Sequence, residues 1–469
     1  MIPSFYILFS LFLCTLTLVN AKTKVACVGD SITFGAGIKE RVKNCYPVQL
    51  AALLGDDYEV KNFGVNGATM LQQGNKPYLK QGAYKRALSF QPDVVIIKLG
   101  TNDSKPQNWE HKDHFQESAN KLIRSFQTLE TKPRIILCKP APVVEDRWGI
   151  NEKITRGEVA KQIETIAFKN KLELVDLHIT LRDKPAFIPD KVHPNALGAE
   201  RIAKHLYRVL TLPRGANIET INQKVETSSH FYGYNMVTGS TPISFKIVSP
   251  HTPAKGTPWI WRARFWGHQP QFDIQMLELG YHIVYCDVAD LFGSPEAVKR
   301  WDSFYSITQK WGLHPKPVLE GMSRGGLIIH NWALSNPDKV AGIIGDNCVM
   351  DIKSWPAGFS KGAGSPNAWE TCKNAYGFKS DAEAKTYLQN PIDRLENIQK
   401  ANIPLLYLIS TGDKIVPAAE NSGLAAEQLK TYPQLKVITK PGKGHHPHSL
   451  PNPAPITEFA LKCYGFSVN

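Results

Sequence analysis

Short apolar runs that stop at a small polar turn and lead into a helical stretch recur along this chain, and that alternation constrains the fold more than any other feature. Val25-Ala26-Cys27-Val28 ends at Gly29-Asp30-Ser31, and a helix is predicted over Tyr46–Leu54. Tyr58–Phe63, Val94–Leu99, Arg134–Leu137 and Leu172–Val175 read as further strands. His114–Leu129 has the i, i+3, i+4 spacing of an amphipathic helix, and Asn195–Leu212 closes the series as another. Strands that alternate with helices predict a parallel sheet with helices on both faces.

The pattern then begins again. Pro213-Arg214-Gly215 stops the closing helix and opens a polar stretch to about Tyr234. Beyond it, strands are predicted over Ser244–Val248, Pro258–Arg264, His282–Asp287, Val318–Gly321, Val340–Gly345, Pro404–Ser410 and Leu435–Thr439. Helices fit Pro295–Trp311 and Arg324–Ser335. A chain of 469 residues exceeds what one core usually supports. The division expected is a leader at 1–21, a first domain at 22–212, a linker at 213–234 and a second domain at 235–469.

Met1–Ala21 contains no charged side chain, and Phe5–Val19 is nearly all apolar. That run is short for a membrane span, and Val19-Asn20-Ala21 offers small residues for cleavage, so a signal peptide and a secreted or periplasmic protein are expected. No later segment is apolar for long enough to cross a membrane. Removing Cys14 with the leader leaves seven cysteines, an odd number that requires a free thiol. Cys27 and Cys286 read as buried small hydrophobes. Cys348 and Cys372 flank a Trp- and Gly-rich excursion and could bridge it. The net charge of +13 favours anionic partners. With dispersed lysines and no nucleic-acid-binding signature, an acidic polysaccharide or an anionic cell surface is the partner expected, not a nucleic acid.

Four short blocks carry chemistry in the first half. They are Gly29-Asp30-Ser31, Asn62-Phe63-Gly64-Val65-Asn66-Gly67, Gly100-Thr101-Asn102-Asp103 and Asp190-Lys191-Val192-His193. Singly, each reads as a turn, a cap or a surface pair. In this order, at strand ends, they resemble the SGNH (GDSL-type) hydrolases. The resemblance implies a flavodoxin-like three-layer sandwich with Ser31 as nucleophile, His193 as base and Asp190 orienting the ring. It also implies an oxyanion hole of the Ser31 and Gly64 backbone N–H groups and the Asn102 amide.

In the second half, Gly321-Met322-Ser323-Arg324-Gly325 lies between a strand and a helix, the setting of a nucleophile elbow. Asp413 follows Leu405–Ile409, and His445 lies in Gly444-His445-His446-Pro447-His448 after the next strand. This order resembles the α/β-hydrolase fold. Ser323, Asp413 and His445 are the triad it implies, with His446 the other choice of base and Asp346 or Asp351 the other choices of acid. The Arg324 backbone N–H and one donor after Trp261–Trp266 are the implied oxyanion contacts. The Arg324 side chain reads equally as a contact for a sugar or carboxylate oxygen and as a surface salt bridge. Eight of the ten tryptophans lie in this half, among them Trp266, Trp301, Trp355 and Trp369. They read as sugar platforms or as core. Residues 347–398 read as a lid.

The fold class expected is therefore α/β in two domains, an SGNH sandwich followed by an α/β-hydrolase fold, resembling bacterial carbohydrate esterases. Acyl-enzyme chemistry needs neither metal nor cofactor. The expected function is hydrolysis of acetyl esters on a polysaccharide, with uronate methyl esters the other ester considered. Lipid or small-ester hydrolysis, a peptidase second half, or a single esterase joined to a glycan-binding module are the rivals.

Overall fold

The computed structural model describes residues 21–218, 227–240 and 243–466. The segment read as a signal peptide lies, except for Ala21, outside the described residues.

The first unit is a five-stranded, wholly parallel sheet. Its strands are β1 (Thr23–Gly29), β2 (Tyr58–Gly64), β3 (Val94–Lys98), β4 (Arg134–Lys139) and β5 (Glu173–Asp176). They run in the order β2-β1-β3-β4-β5. This is the flavodoxin-like order, whose switch point lies between β1 and β3. Every residue of β3 is buried, as its unbroken apolar run requires when helices cover both faces. The helices Tyr46–Leu54, Phe115–Gln127 and Ala196–Thr211 fall within two residues of their predicted ends. Two further helices, Gly82–Ser89 and Ala160–Asn170, were not anticipated.

The second unit is a nine-stranded sheet. Its strands are β6 (Thr227–Phe231), β7 (Tyr234–Gly239), β8 (Phe245–Ser249), β9 (Trp259–Ala263), β10 (His282–Cys286), β11 (Val318–Met322), β12 (Gly342–Asp346), β13 (Leu405–Ser410) and β14 (Leu435–Lys440). The order is β14-β13-β12-β11-β9-β10-β8-β7-β6. The contacts are parallel from β14 to β10 and antiparallel across β8, β7 and β6. With the nucleophile turn after β11, this is the α/β-hydrolase arrangement. The stretch read as a linker ends in structure: β6 and the start of β7 pair as a hairpin at the sheet edge. Ser, Thr and Asn dominate there, and an edge hairpin with one wet face does not need the apolar run that marks a central strand.

The two units share a continuous core. The helix Gln271–Glu278 is buried at all eight positions and packs against both β5 and the helix Ala454–Cys463. Its Glu278 carboxylate accepts from the Asp176 backbone N–H and from His205 Nε2, each at 2.6 Å. Burial pushes the Glu278 carboxyl up, and the His205 ring opposes that shift. Tyr234 donates its hydroxyl to Leu174 O (2.9 Å), and Arg208 pairs with Glu458 (2.7 Å).

The seven described cysteines are all free thiols. The Cys348–Cys372 bridge does not form, because the two side chains sit in different apolar clusters. The apolar surroundings that replace it bury Cys348, Cys372, Cys27 and Cys286 alike and push each thiol pKa up. Trp301 is core as well: its ring stacks on Trp261 at 4.0 Å and 12°. Residues 347–398 hold two helices, Pro366–Tyr376 and Asp381–Lys385, over their own cluster around Trp355 and Trp369. Among the described residues no helix is long and apolar enough to cross a membrane.

Candidate active sites

In the first unit β1, β2 and β3 each deliver one block at their carboxyl ends, which is where a doubly wound sheet opens a crevice. Asp30 caps the one-turn helix Ser31–Phe34 by accepting from Ile32 N (2.9 Å), and this fixes Ser31 at the helix start. The turn Asp190–His193 bends on Lys191 at φ +76° and brings His193 to Ser31. His193 Nε2 lies 2.9 Å from Ser31 Oγ, and Nδ1 lies 2.8 Å from Asp190 Oδ2. Burial pushes the Asp190 carboxyl up. The N–H groups of His193 and Val192 and the His193 ring outweigh this and hold it below the usual carboxylate range. The acid therefore stays ionised, as stabilising an imidazolium requires.

The oxyanion residues converge on the same place with one surprise. Gly64 cannot carry a side chain: a Cβ would fall 2.2 Å from Phe34 N, in the backbone that carries Ser31. Its N–H, however, donates to Asn62 Oδ1 at 2.9 Å. Asn102 gives one amide proton to Ala68 O (3.2 Å), which leaves its other N–H as a donor. Asp103 accepts from Met70 N and Leu71 N and ties the loop after β2 to the loop after β3. Burial pushes its carboxyl up to about 6, against those two hydrogen bonds.

Two functional neighbours escaped the sequence reading. Lys98, wholly buried at the end of β3, bonds Asp30 at 2.8 and 3.1 Å and Thr101 Oγ1 at 2.6 Å. It sits beneath the nucleophile turn, and only the β1–β3 pairing brings it there. Trp148, 54% exposed, lies 5.6 Å from the His193 ring with the Arg147 guanidinium on its other contact. The sequence signal for Trp148 was its position in a Gly-turn, Arg147-Trp148-Gly149.

The second site has the same three-part chain of bonds. Ser323 stands at φ +51°, the strained turn of a nucleophile elbow. The flanking glycines make that turn possible. A Cβ on Gly321 would fall 2.8 Å from Gly325 O, and one on Gly325 would fall 2.8 Å from Ala263 O. His445 Nε2 lies 2.9 Å from Ser323 Oγ, and Nδ1 lies 2.7 Å from Asp413 Oδ2. Burial pushes Asp413 up. The His445 ring and the N–H groups of Val416 and Ile415 prevail and hold it low. His446 is exposed and touches neither Ser323 nor Asp413 by hydrogen bond. Asp346 is committed elsewhere, to Lys440 Nζ (2.7 Å) and the Ser449 N–H. Asp351 accepts from Lys353 N.

Arg324 makes no salt bridge among the described residues. Its guanidinium lies 5.0 Å from the Trp355 ring, 5.6 Å from Phe292 and 6.0 Å from Phe265. Residues 347–398 thus reach the site through Trp355. Beneath the loop after β9, buried Arg262 bonds Asp273 (2.6 Å), Glu320 (3.3 Å), Phe265 O (3.2 Å) and His268 O. It pins the segment from which a second oxyanion donor would come. Burial pushes Glu320 up to about 8 against the pull of Arg262, and the charge of Asp273 adds to the shift.

Residues 27–201 match the model of the GDSL-like lipase/acylhydrolase family. The N-terminal unit is a GDSL-like hydrolase domain. An acetylxylan esterase of Xylanibacter ruminicola is 40% identical over 199 residues, 39% of this chain and 42% of that protein. The chain therefore spans less than half the length of that curated relative. Similar solved structures include an aryl esterase of M. smegmatis, at 21% identity over 40% of this chain and 98% of that one, with a TM-score of 0.35. They also include a carbohydrate acetylesterase from Sinorhizobium meliloti, at 20% identity, the same 40% and 98% coverage and a TM-score of 0.35. A puromycin-hydrolysing peptidase of Mycobacterium tuberculosis matches at 13% identity, covering 52% of this chain and 41% of its own, with a TM-score of 0.38.

A cleft of about 460 Å³ lies between the GDSL-like domain and the second unit. Its walls include Val144, Arg156 and Arg182 on one side and Gln269 and His448 on the other. Val144 N donates to Lys191 O (2.8 Å), in the loop that carries His193, while His448 is three residues from His445. It runs on into a second hollow that shares Arg156, Arg182 and Gln269 and is lined also by Glu152, Glu164 and Asp176.

Proposed function

We propose that this protein is an exported carboxylic ester hydrolase with two independent serine active sites, acting on a polysaccharide that carries acetyl and uronate methyl esters. The observation that carries the reading is the repeated chain of hydrogen bonds, Ser31–His193–Asp190 and Ser323–His445–Asp413, with Oγ–Nε2 at 2.9 Å in both. In each, neutral imidazole takes the serine proton as Oγ attacks the ester carbonyl, and the ionised aspartate stabilises the imidazolium. The imidazolium then protonates the departing sugar hydroxyl, and water admitted to the same base releases the acyl group.

The tetrahedral oxyanion at the first site would take the Ser31 N–H and the spare Asn102 N–H. The Gly64 N–H joins them once Asn62 Oδ1 lets it go. At the second site the Arg324 N–H and a donor from the loop after Ala263 fill the role. Loss of one such donor costs ~10²–10³ in turnover.

Support for a glycan comes from the acetylxylan esterase relative, from exposed Trp148 beside His193, and from the cleft between the two units with Arg156 and Arg182 in its wall. Arg324, held by aromatic rings and making no salt bridge among the described residues, supports a uronate carboxyl group as the second ester. The test is p-nitrophenyl acetate, acetylated xylan and methyl-esterified pectin given to the wild type, Ser31→Ala, Ser323→Ala and the double variant. Each single variant should lose a different activity and the double all of them. A Ser323→Ala protein unchanged on every ester would reduce the reading to one esterase.

A further inference from the structure

The loop after β14 supplies more imidazole than a triad uses. The ring centroids of His445, His446 and His448 stand 5.0, 4.9 and 4.9 Å apart in a near-equilateral triangle, with their planes at 76°, 83° and 86°. Each ring offers a nitrogen, and these nitrogens lie within 4.8 Å of one another. A tetrahedral ion bound at ~2.0–2.1 Å by imidazole nitrogens sets ring centroids ~5 Å and nitrogens ~3.3 Å apart. The ring spacing thus matches that of a three-histidine site, and binding would draw the nitrogens in from within 4.8 Å of one another.

The surroundings follow the same logic. A metal-binding imidazole usually gives its second nitrogen to a carboxylate, which fixes the tautomer and sharpens the free lone pair. His445 Nδ1 has Asp413 at 2.7 Å, and His448 Nδ1 has Asp346 Oδ1 at 3.4 Å, close enough for charge attraction but with no hydrogen bond formed. Two of the three rings therefore have their Nδ1 edge turned to an acid, and the Nε2 of His445 faces Ser323 Oγ at 2.9 Å, where its lone pair is the one an ion would take. His446 is exposed, which gives an ion a way in. The His268 ring stands 5.8 and 5.9 Å from those of His446 and His448.

We propose that His445, His446 and His448 bind a borderline divalent cation of the zinc class, and that the ion shuts off the second active site by taking the lone pair His445 offers to Ser323. No bond is broken in this step. The Nε2 lone pair moves from the Ser323 hydroxyl proton to the cation, so Oγ keeps its proton and cannot attack. Removal of the ion returns the base. Among the described residues no such cluster surrounds His193, so the first active site stays open and the ion would silence one activity and spare the other. The inhibitory part of the proposal rests on the catalytic role given above to Ser323 and His445; the binding part does not.

The experiment therefore has two readouts on the full-length protein. Calorimetric titration of Zn²⁺, with Mg²⁺ as a hard-cation control, measures binding to the wild type, His446→Ala, His446→Gln and His448→Asn. Hydrolysis in a Ser31→Ala background measures inhibition, and hydrolysis in a Ser323→Ala background is the internal control. The expectation is one Zn²⁺ bound, at least tenfold weaker binding in each histidine variant, and no binding of Mg²⁺. His446→Ala should keep its uninhibited activity while the inhibition midpoint rises by the same factor, and chelator should restore the wild type. Equal Zn²⁺ binding by the wild type and the His446 variants would overturn the site. Tight binding that leaves Ser323-dependent hydrolysis untouched would overturn the switch. If Ser323 proves silent on every ester, the function reading fails while calorimetry still decides the metal site.

Discussion

Replacing Lys98 by Met should unhinge the first active site, and the structure sets the size of the effect. Lys98 Nζ is buried with two contacts to the Asp30 carboxylate and one to Thr101 Oγ1. Without it, a carboxylate of zero exposure keeps one hydrogen bond, from Ile32 N. Breaking a buried ion pair from one side costs about 3–5 kcal/mol, because the surviving charge stays desolvated. Asp30 also caps the helix that begins with Ser31, so the cost should appear in catalysis as well as in stability. The assay is urea unfolding followed by circular dichroism, with Ser31-dependent hydrolysis measured alongside, for Lys98→Met, Asp30→Asn and the double variant. The double should recover at least half of the loss seen in Lys98→Met, since removing both charges removes the orphan. A Lys98→Met protein within 1 kcal/mol of the wild type, or strict additivity of the two changes, would refute the reasoning.

Three further outcomes follow from the same coordinates. Gly64→Ala should lower Ser31-dependent turnover by roughly 10²-fold and leave Ser323-dependent turnover alone, because its Cβ would displace the Phe34 backbone, and displacements of ~1 Å cost about that much; steady-state kinetics in the two serine backgrounds read it. Trp301→Ala should destabilise the protein by about 3–5 kcal/mol in urea, since Trp301 is buried and stacked on Trp261, and its glycan binding should not change. Burial pushes His282 down to about 4, so between the unfolded value near 6.5 and that value the unfolded chain binds the extra proton. Stability is full above about pH 6.5 and falls as pH drops through the window. His282→Leu, compared by urea unfolding at pH 7 and pH 4.5, should flatten the slope by no more than ~3 kcal/mol.

The strand–helix alternation, the four blocks of the first half and the elbow of the second were legible because each is local. A parallel strand buried on both faces must be an unbroken apolar run, and the turn after it must be Gly, Asp, Asn or Ser, so Val94–Lys98 or Gly321–Gly325 declare themselves within a few residues. Where burial is one-sided, as in β6 and β7, or a helix is irregular, as before Ala160, the local pattern is diluted and the sequence reads as linker or loop. Side-chain pairings follow a similar division. His193 with Asp190 is three residues apart and could be read. Lys98 under Asp30, Arg262 under the loop after β9 and Glu278 between the two units join residues 58 to 102 positions apart, or depend on which strands lie side by side. The sequence alone determined the types of chemistry present and their order: two serines on turns, two histidines after later strands and an acid for each. Only the tertiary structure decided which acid serves His445, that the cysteines stay apart, that most tryptophans fill the core, and that three histidines close into a triangle. Those are matters of distance between chain segments, and distance across a fold is set by packing of the whole sheet, which no short window of sequence contains.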